Sequence, residues 1–284
     1  MPMIVKPVDW KFTHNEAEKE FKIIEYGGYI NNKLDRNSFM HKSLKNSGST
    51  KLYDDKIIKT INYIQSIPFK INLNMLYHIL NIIKDNIILD ESLVFNLHSK
   101  SINLVKIKED GNTVKVNEIL RHNSYVHTNI STISTSLTLI NQTFYHPIFM
   151  DWRARLYTNN VLLSFTYGTE LTRSILYFAN GVKLNEKGLE SLKIYTANCF
   201  GLDKKSYNFR LNWVNENLDK ILNIDSNFWL EAKENLLFLA CAYELKEYYK
   251  DPVNFLSRLP IYLDCTSNGL QHLSAMTNDL TLAK

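Results

Sequence analysis

One aspartate near the end of the sequence occupies a position suited to holding a metal ion. Asp264 follows the apolar run LPIYL at residues 259–263 and precedes the turn-forming run CTSNG at residues 265–269. A short apolar run with proline near its start predicts a β-strand. A carboxylate at a strand end is held rigidly and can point into a cleft, which suits a magnesium ligand. Pattern alone nevertheless favours a plainer role for Asp264, accepting hydrogen bonds from the turn or capping the next helix.

Two arginines alternate in the run DWRAR at residues 151–155. If this run is extended, Arg153 and Arg155 point to the same side, where their guanidinium groups can hold phosphates of a nucleic-acid strand. A surface salt bridge with Asp151 explains the same pattern equally well. The run therefore leaves both interpretations open.

The remaining polar candidates carry weaker signals. Lys204 and Lys205 have the pattern of ordinary solvated charges, and Gln271 and His272 that of a hydrogen-bonded structural clamp at the start of the last helix. His146, beside a proline, is interpreted as structural. The sequence contains no glycine-rich phosphate loop, no Ser-His-Asp arrangement and no zinc spacing.

Apolar periodicity indicates a chain that is mostly α-helical with a small sheet. Pro68 divides the helical pattern of residues 56–84 into two helices, and the clearest helix, at 228–249, must end before Pro252. The pattern predicts further helical stretches within residues 113–145, 170–179, 186–200, 208–222 and 270–276.

Composition sets broad limits. The chain has 284 residues, 45% of them hydrophobic and 22% charged, which is typical of a globular protein with real cores. A net charge of +4 permits nucleic-acid binding without arguing strongly for it. The three cysteines form no metal-type spacing and favour a reducing compartment. No apolar run is long enough for a membrane span, and residues 1–7 resemble neither a secretory signal nor a transit peptide.

Taken together, the motifs resemble those of single-subunit, bacteriophage-type and mitochondrial DNA-directed RNA polymerases. The run LDCTSNGLQHLSAM at residues 263–276 resembles the family's motif A, and MDWRARLY at 150–157 resembles its Asp-x-Arg-Gly-Arg element. Residues 192–201 resemble a helix of the palm insertion, and residues 62–72 a helix pair leading to the thumb. The similarity runs in the family's order over nearly the whole chain and looks most like the linear mitochondrial plasmid type.

The resemblance implies roles for particular residues. Asp264 is the catalytic residue and binds magnesium, with the carbonyl of Cys265 as a further ligand. Arg153 and Arg155 contact nucleic acid, and Lys204 lies near the triphosphate of the incoming nucleotide. The resemblance implies structural support from three further residues, Asp151, Gln271 and His272.

The resemblance also implies a fold and a division of the chain. The expected fold is α+β, mostly helical with a small antiparallel palm sheet, as part of a right-hand polymerase with thumb, first palm segment and palm insertion. The expected divisions are the end of the N-terminal domain with a connector (1–72), thumb-like helices (73–140), the first part of the palm (141–180), the helical palm insertion (181–255) and motif A (256–284).

The expected activity is magnesium-dependent transcription of DNA into RNA from ribonucleoside triphosphates, by an enzyme that is monomeric at full length. The chain ends at Lys284, before the positions of the family's second metal-binding aspartate and fingers helix, so the 284 residues alone are expected to be inactive. Cys265 and Ala154 replace glycines usual in the family and put full activity in question. The alternative is a non-catalytic remnant of a plasmid-type gene that binds nucleic acid without specificity. A DNA polymerase palm is disfavoured, because the run after its aspartate lacks the Gly-x-Gln-His ending.

Codon-related composition bears on localisation. Asn, Ile, Lys, Leu and Tyr are abundant while Gly (9) and Pro (6) are scarce, a bias typical of AT-rich organellar genomes and their plasmids. With no transit peptide, a mitochondrial protein encoded in the organelle or on its plasmid is expected.

Overall fold

The computed structural model describes most of the chain. The described residues are 1–15, 20–25, 27–28, 55–85, 100–102, 113–151, 155–263 and 269–279. Among them the longer helices are α1 (Asp55–Gln65), α2 (Leu73–Lys84), α3 (Thr113–Thr138), α5 (Glu186–Ala197), α6 (Tyr207–Glu216), α8 (Asn235–Lys250) and α9 (Gly269–Thr277). Two shorter helices are α4 (Glu170–Ile175) and α7 (Leu218–Leu222).

The described strands form three small antiparallel pairs. The strands are β1 (Lys11–Asn15), β2 (Glu20–Glu25), β3 (Phe69–Ile71), β4 (Ile148–Met150), β5 (Leu156–Thr158) and β6 (Leu176–Phe178). β1 pairs with β2, β3 with β6, and β4 with β5. The predicted class, mostly helical with small antiparallel sheets, is therefore confirmed at this level.

The break between the first two helices follows the sequence pattern. Pro68 lies between α1 and α2, as predicted, and the short strand β3 fills the gap. Asn72 then caps α2, because its side-chain oxygen accepts a hydrogen bond from the backbone N–H of Met75 at 3.2 Å. The proline thus separates the helices, while the cap determines where the second begins.

Helix α8 forms the centre of the main core. Its residues from Leu236 to Ala242 are buried on all sides, and it packs against α4, α5 and the π-helical turn Asn198–Leu202. Because the helix has no exposed face along this stretch, its sequence is apolar almost throughout rather than amphipathic. Within the described residues, no helix combines the length and the apolarity needed to cross a membrane.

A smaller core joins the N-terminal segment to α1. Trp10 packs with Ile58, Ile61 and Ile148, and the Asn62 side chain exchanges hydrogen bonds of 2.9 and 3.0 Å with the backbone of Trp10. The two polar contacts satisfy both backbone groups of a buried residue, so they set the register of this segment against α1.

His146 is structural, as the sequence analysis inferred. Its ring is 1% exposed and packs edge-on against Phe69, Phe144 and Phe165. Its Nδ1 lies 3.1 Å from the side-chain oxygen of Asn160, which requires Nδ1 to donate and Nε2 to carry no proton in the neutral ring. Burial lowers the pKa of His146 to about 4.

We expect His146 to make the chain acid-sensitive. Its folded pKa lies below the ordinary 6.5, so the unfolded chain binds the proton first and stability falls as pH drops from about 6.5 towards 4. At about 1.4 kcal/mol per pH unit, the loss approaches roughly 3 kcal/mol. Urea unfolding of the wild type and of His146→Gln between pH 7 and 4 measures the difference in slope. Parallel curves for the two proteins would contradict this account.

Candidate active site

The segment that leads to Asp264 is held by a side chain rather than by a sheet. The predicted strand at residues 259–263 is wrong, since these residues have no ladder partner in the described structure. The Oε1 atom of Glu244 instead accepts the backbone N–H groups of Arg258 at 2.7 Å and Leu259 at 3.2 Å. Pro260 has no N–H to offer, so few donors remain from which a strand ladder could form.

Glu244 holds further groups around this segment. Its side chain lies on α8 and is 3% exposed. It accepts hydrogen bonds from the Ser257 hydroxyl at 2.8 Å and the Tyr177 hydroxyl at 2.7 Å. Burial and the neighbouring Glu244 charge raise the pKa of Tyr177 well above its usual value, so the phenol remains a donor. One carboxylate thereby ties α8, β6 and the segment before Asp264 together.

Helix α9 follows the predicted turn and confirms the predicted helical stretch at 270–276. His272 is exposed on this helix, and the side chain of Gln271 lies outside the described residues, so their supporting role stays a prediction. Asp264 and Cys265 also lie outside the described residues. Within the described ranges, no group of three or more His, Cys, Asp or Glu residues is arranged to hold a metal ion.

A cleft of about 730 Å³ opens where the segment reaches Leu263, and we call it the Lys204 cleft. Its polar walls carry Arg173, Lys204, Lys233, Asp203 and Glu234. The apolar part is formed mainly by Phe165, Tyr195, Leu237, Tyr262 and Leu263. The structure therefore brings Lys204 to the same cleft as the residue directly before Asp264, although some 60 positions separate them in sequence.

The positive charges of the Lys204 cleft differ in how they are held. Lys204 is 93% exposed, and its Nζ lies 3.3 Å from a carboxylate oxygen of Asp203. Arg173 donates from Nε to the Gly168 carbonyl at 3.0 Å and lies 5.4 Å from the centre of the Tyr262 ring. The Lys204 ammonium is thus free to move, whereas the guanidinium of Arg173 is positioned by its neighbours.

Sequence reasoning missed Arg173 and Lys233. Neither lies in a recognisable motif, because four separate stretches of chain meet to form the Lys204 cleft. Lys233 is exposed, and together with Lys204 it lowers the pKa of Asp203, the largest cause being the hydrogen bond from Lys204. Cationic side chains outnumber the acids in the cleft, which favours an anionic ligand.

A tight backbone turn places Lys233. The π-helical turn after α5 contains Gly201 at φ 110°, a conformation that disfavours any side chain. A Cβ atom there would also lie only 3.3 Å from that of Lys233. The carbonyls of Cys199 and Phe200 accept the backbone N–H groups of Glu234 and Lys233 at 2.9 and 3.3 Å. This turn therefore fixes the wall on which Lys233 stands.

Glu170 anchors the same wall from the other side. Its Oε1 accepts the backbone N–H groups of Leu236 at 2.6 Å and Leu237 at 3.2 Å, at the start of α8. Burial raises the pKa of this carboxyl to about 7, although the two N–H donors act in the opposite direction. The anchor is an acid from a distant part of the chain, which explains why α8 begins later than the predicted residue 228.

The predicted arginine pair is only partly described. Arg153 lies outside the described residues. Arg155 donates from Nε to the buried Asp151 carboxylate at 2.8 Å, and its Nη2 lies 2.7 Å from the same oxygen. Asp151 also accepts the Arg155 backbone N–H at 2.8 Å, so it links the end of β4 to the start of β5. The salt bridge is present, yet 56% of the Arg155 side chain remains exposed.

Aromatic rings extend from this turn. Tyr157 stacks on Tyr167 with ring centres 5.0 Å apart and planes 8° apart, and the Arg155 guanidinium lies 5.3 Å from the Tyr157 ring. Tyr167 is 50% exposed. An exposed arginine beside stacked aromatic rings is a common arrangement in surfaces that bind single-stranded nucleic acid.

Comparison with known proteins agrees with this arrangement. Residues 182–284 match the family model described as DNA-dependent RNA polymerase. The whole chain aligns at 45% identity with 32% of a probable DNA-directed RNA polymerase of Neurospora crassa. The chain belongs to the single-subunit RNA polymerase family. The mitochondrial DNA-directed RNA polymerase of Neurospora crassa is 37% identical over 49% of this chain and 10% of its own length.

The same relationship reaches the bacteriophage members of the family. T7 RNA polymerase is 30% identical over 49% of this chain and 16% of its own length. This chain aligns over its whole length with three curated relatives, and it spans about a third of the length of each. The family match covers the cleft residues from Tyr195 to Leu263, whereas Phe165, Thr166 and Arg173 precede it.

Proposed function

We propose that this chain forms part of a DNA-directed RNA polymerase, in which the Lys204 cleft receives the triphosphate of an incoming ribonucleotide. The observation that carries the proposal is the meeting of Lys204, Arg173 and Lys233 with Leu263, the residue before Asp264. A triphosphate carries several negative charges, and three cations around one cleft offset the repulsion that these charges would otherwise meet.

In the proposed reaction, the 3′ oxygen of the RNA attacks the α-phosphorus of the nucleotide. A new P–O bond forms while the 3′ hydroxyl releases its proton to water, the bond to the β-phosphate breaks, and pyrophosphate leaves with its electron pair. Lys204 and Lys233 would neutralise the departing phosphates, and Arg173 would hold a fixed donor towards them. The chain's contribution here is binding and charge neutralisation.

We propose Mg²⁺ as the cofactor, with Asp264 and the Cys265 carbonyl as ligands. Magnesium prefers carboxylate and carbonyl oxygens and stabilises developing charge in phosphoryl transfer. The proposal is supported by the family membership and by the position of Leu263 at the mouth of the cleft. Asp203, the described acid in the cleft nearest to Lys204, is already engaged with it.

We propose that Arg153 and Arg155 contact the DNA template or the RNA–DNA hybrid. The exposed Arg155 guanidinium and the adjoining Tyr157–Tyr167 stack support this for one of the two arginines. We further propose the expected right-hand arrangement with the divisions given above, a monomer, and a mitochondrial location. A mitochondrial polymerase among the relatives supports the last of these.

Exchanging Lys204 for glutamine tests the nucleotide site. We expect Lys204→Gln to weaken binding of ATP to the chain about tenfold, because one charge-assisted contact to phosphate contributes roughly 1.4 kcal/mol. Isothermal titration at low salt measures the effect. Lys205→Gln is the matched control, since Lys205 lies 5.7 Å from the Phe209 ring and does not line the cleft. Equal ATP affinities of the two variants would contradict the proposal that the triphosphate binds in the Lys204 cleft.

A further inference from the structure

A second cationic hollow lies on the outer side of the β3–β6 pair. It has a volume of about 490 Å³ and is lined by Lys70, Asn72, Asn74, Asn141, Tyr177 and Arg258, among others. We call it the Lys70 notch. Neither the motifs of the sequence nor the Lys204 cleft accounts for these residues, because the two sites share no lining residue.

The two cations of the Lys70 notch come from different elements. Lys70 is the exposed residue of β3, between the buried Phe69 and Ile71, and lies directly across the pair from Tyr177. Arg258 is exposed, and its carbonyl accepts the backbone N–H of Phe178 at 2.9 Å. The two cations therefore flank Tyr177 of β6. Strand pairing fixes the backbone of Lys70, whereas the backbone of Arg258 is held by Phe178 and by the Glu244 carboxylate.

The floor of the notch offers hydrogen-bond donors. Asn72 is 1% exposed, and its Nδ2 atom has no acceptor at ordinary hydrogen-bond geometry. The polar group beside it is the Tyr177 hydroxyl, which donates its own proton to Glu244. Leu73 and Asn74 begin α2, and backbone N–H groups in a first helical turn have no partner within the helix. The positive end of a 12-residue helix thus opens towards the two cations.

The charge balance of the notch selects an anion. None of the described residues that line it is acidic. Glu244, the carboxylate closest behind this wall, already accepts four hydrogen bonds. The notch therefore suits a phosphate group, because it combines two cations, a side-chain amide and the start of a helix with no acidic residue among its described lining.

We propose that the Lys70 notch binds a backbone phosphate of single-stranded nucleic acid. The inference rests on the proposed polymerase function, which supplies a nucleic-acid partner. Arg258 is five residues before Leu263, and five extended residues span at most about 17 Å. A strand held at the notch therefore lies within a few nucleotides of the Lys204 cleft. The notch extends the nucleic-acid path along the outer side of β6.

The double variant Lys70→Gln/Arg258→Gln tests the notch. Fluorescence anisotropy with a labelled single-stranded oligonucleotide is expected to show about tenfold weaker binding than the wild type. The logarithmic slope of the salt dependence should fall by about 0.7, because one phosphate is no longer neutralised. Lys187→Gln/Lys220→Gln is the matched control, because it removes the same charge from exposed positions on α5 and α7. The control should retain most of the affinity and the slope.

Three outcomes decide between the possibilities. Equal affinity and slope in the notch variant and the control would overturn the notch as a nucleic-acid site. Weaker binding of inorganic phosphate in the notch variant, with oligonucleotide binding unchanged, would also overturn it in favour of a free-anion site. Lys204→Gln separates the two proposals. If this variant loses ATP binding while the notch variant binds the oligonucleotide as the wild type does, the proposed function stands and the notch proposal fails. Circular dichroism spectra of both double variants should match that of the wild type, which would show that neither variant is misfolded.

Discussion

Replacing Glu244 by alanine is expected to lower the free energy of unfolding by about 3–5 kcal/mol. The carboxylate is 3% exposed and accepts hydrogen bonds from two backbone N–H groups and two hydroxyl groups. Alanine leaves four donors without their acceptor, one of them buried and three partly buried, and a buried unsatisfied group costs about 1–3 kcal/mol. Urea unfolding at neutral pH measures the change.

Two further variants make this prediction specific. Glu244→Gln keeps the acceptor oxygen for Ser257, Arg258 and Leu259, so we expect a loss of only about 1 kcal/mol. Glu247→Ala is the matched control on the same helix, because the Glu247 side chain is 45% exposed and forms a surface ion pair with Lys250 at 2.6 Å. Its removal should change stability by less than about 0.5 kcal/mol.

Hydrogen exchange locates the effect of Glu244. The amide protons of Arg258 and Leu259 point at its Oε1 atom and should exchange much faster in Glu244→Ala, while those at the centre of α8 lose protection only in proportion to global stability. Unchanged protection of these two amides in a folded variant would show that Glu244 does not hold the segment. The result bears on the proposed metal site, because this segment directly precedes Asp264 in the sequence.

Replacing Asp264 by alanine is expected to weaken magnesium binding by at least about tenfold. Mg²⁺ is held in proteins by one or two carboxylates together with water and phosphate oxygens, so the loss of a charged ligand removes the largest protein contribution. Isothermal titration of Mg²⁺ in the presence of ATP compares the two proteins. Asp219→Asn, an exposed acid on α7, is the control for lost negative charge.

The Asp264→Ala variant separates magnesium binding from simple nucleic-acid binding. If Asp264→Ala and Asp219→Asn bind Mg²⁺ as the wild type does, the metal proposal fails. Oligonucleotide binding should be unchanged or slightly tighter in Asp264→Ala, because a negative charge near the phosphates has been removed. A steep loss of oligonucleotide affinity instead would assign Asp264 a structural role in the surrounding turn.

Local periodicity determined much of the helical framework. The proline break at Pro68 separates α1 from α2, α8 ends at Lys250 before Pro252, and α9 covers the helical stretch predicted at 270–276. Each of these boundaries depends on interactions within a few residues, which a sequence pattern records directly. The motif similarity around Asp264 likewise identified the family, because it concerns a contiguous run of residues.

Long-range pairing decided what periodicity could not. Residues 170–179 carry a helical pattern, yet the helix ends at Ile175 and the next three residues pair with β3. Residues 259–263 carry a strand pattern, yet Glu244 takes the N–H groups of Arg258 and Leu259. In both places a partner far away in the chain competes for the same backbone groups, and the local preference of a short run is too weak to prevail.

The candidate site shows the same division. The motif similarity of the sequence by itself indicated the family, and the roles that it implies for Asp264 and Lys204 stay predictions. Only the tertiary structure joined Lys204 to Arg173, Lys233 and Leu263 in one cleft, and only it assigned Glu170 and Glu244 to the walls. The sequence gives the chemical type of each side chain directly. The neighbours of that side chain depend on how the buried helices pack, which is a property of the whole chain rather than of any run within it.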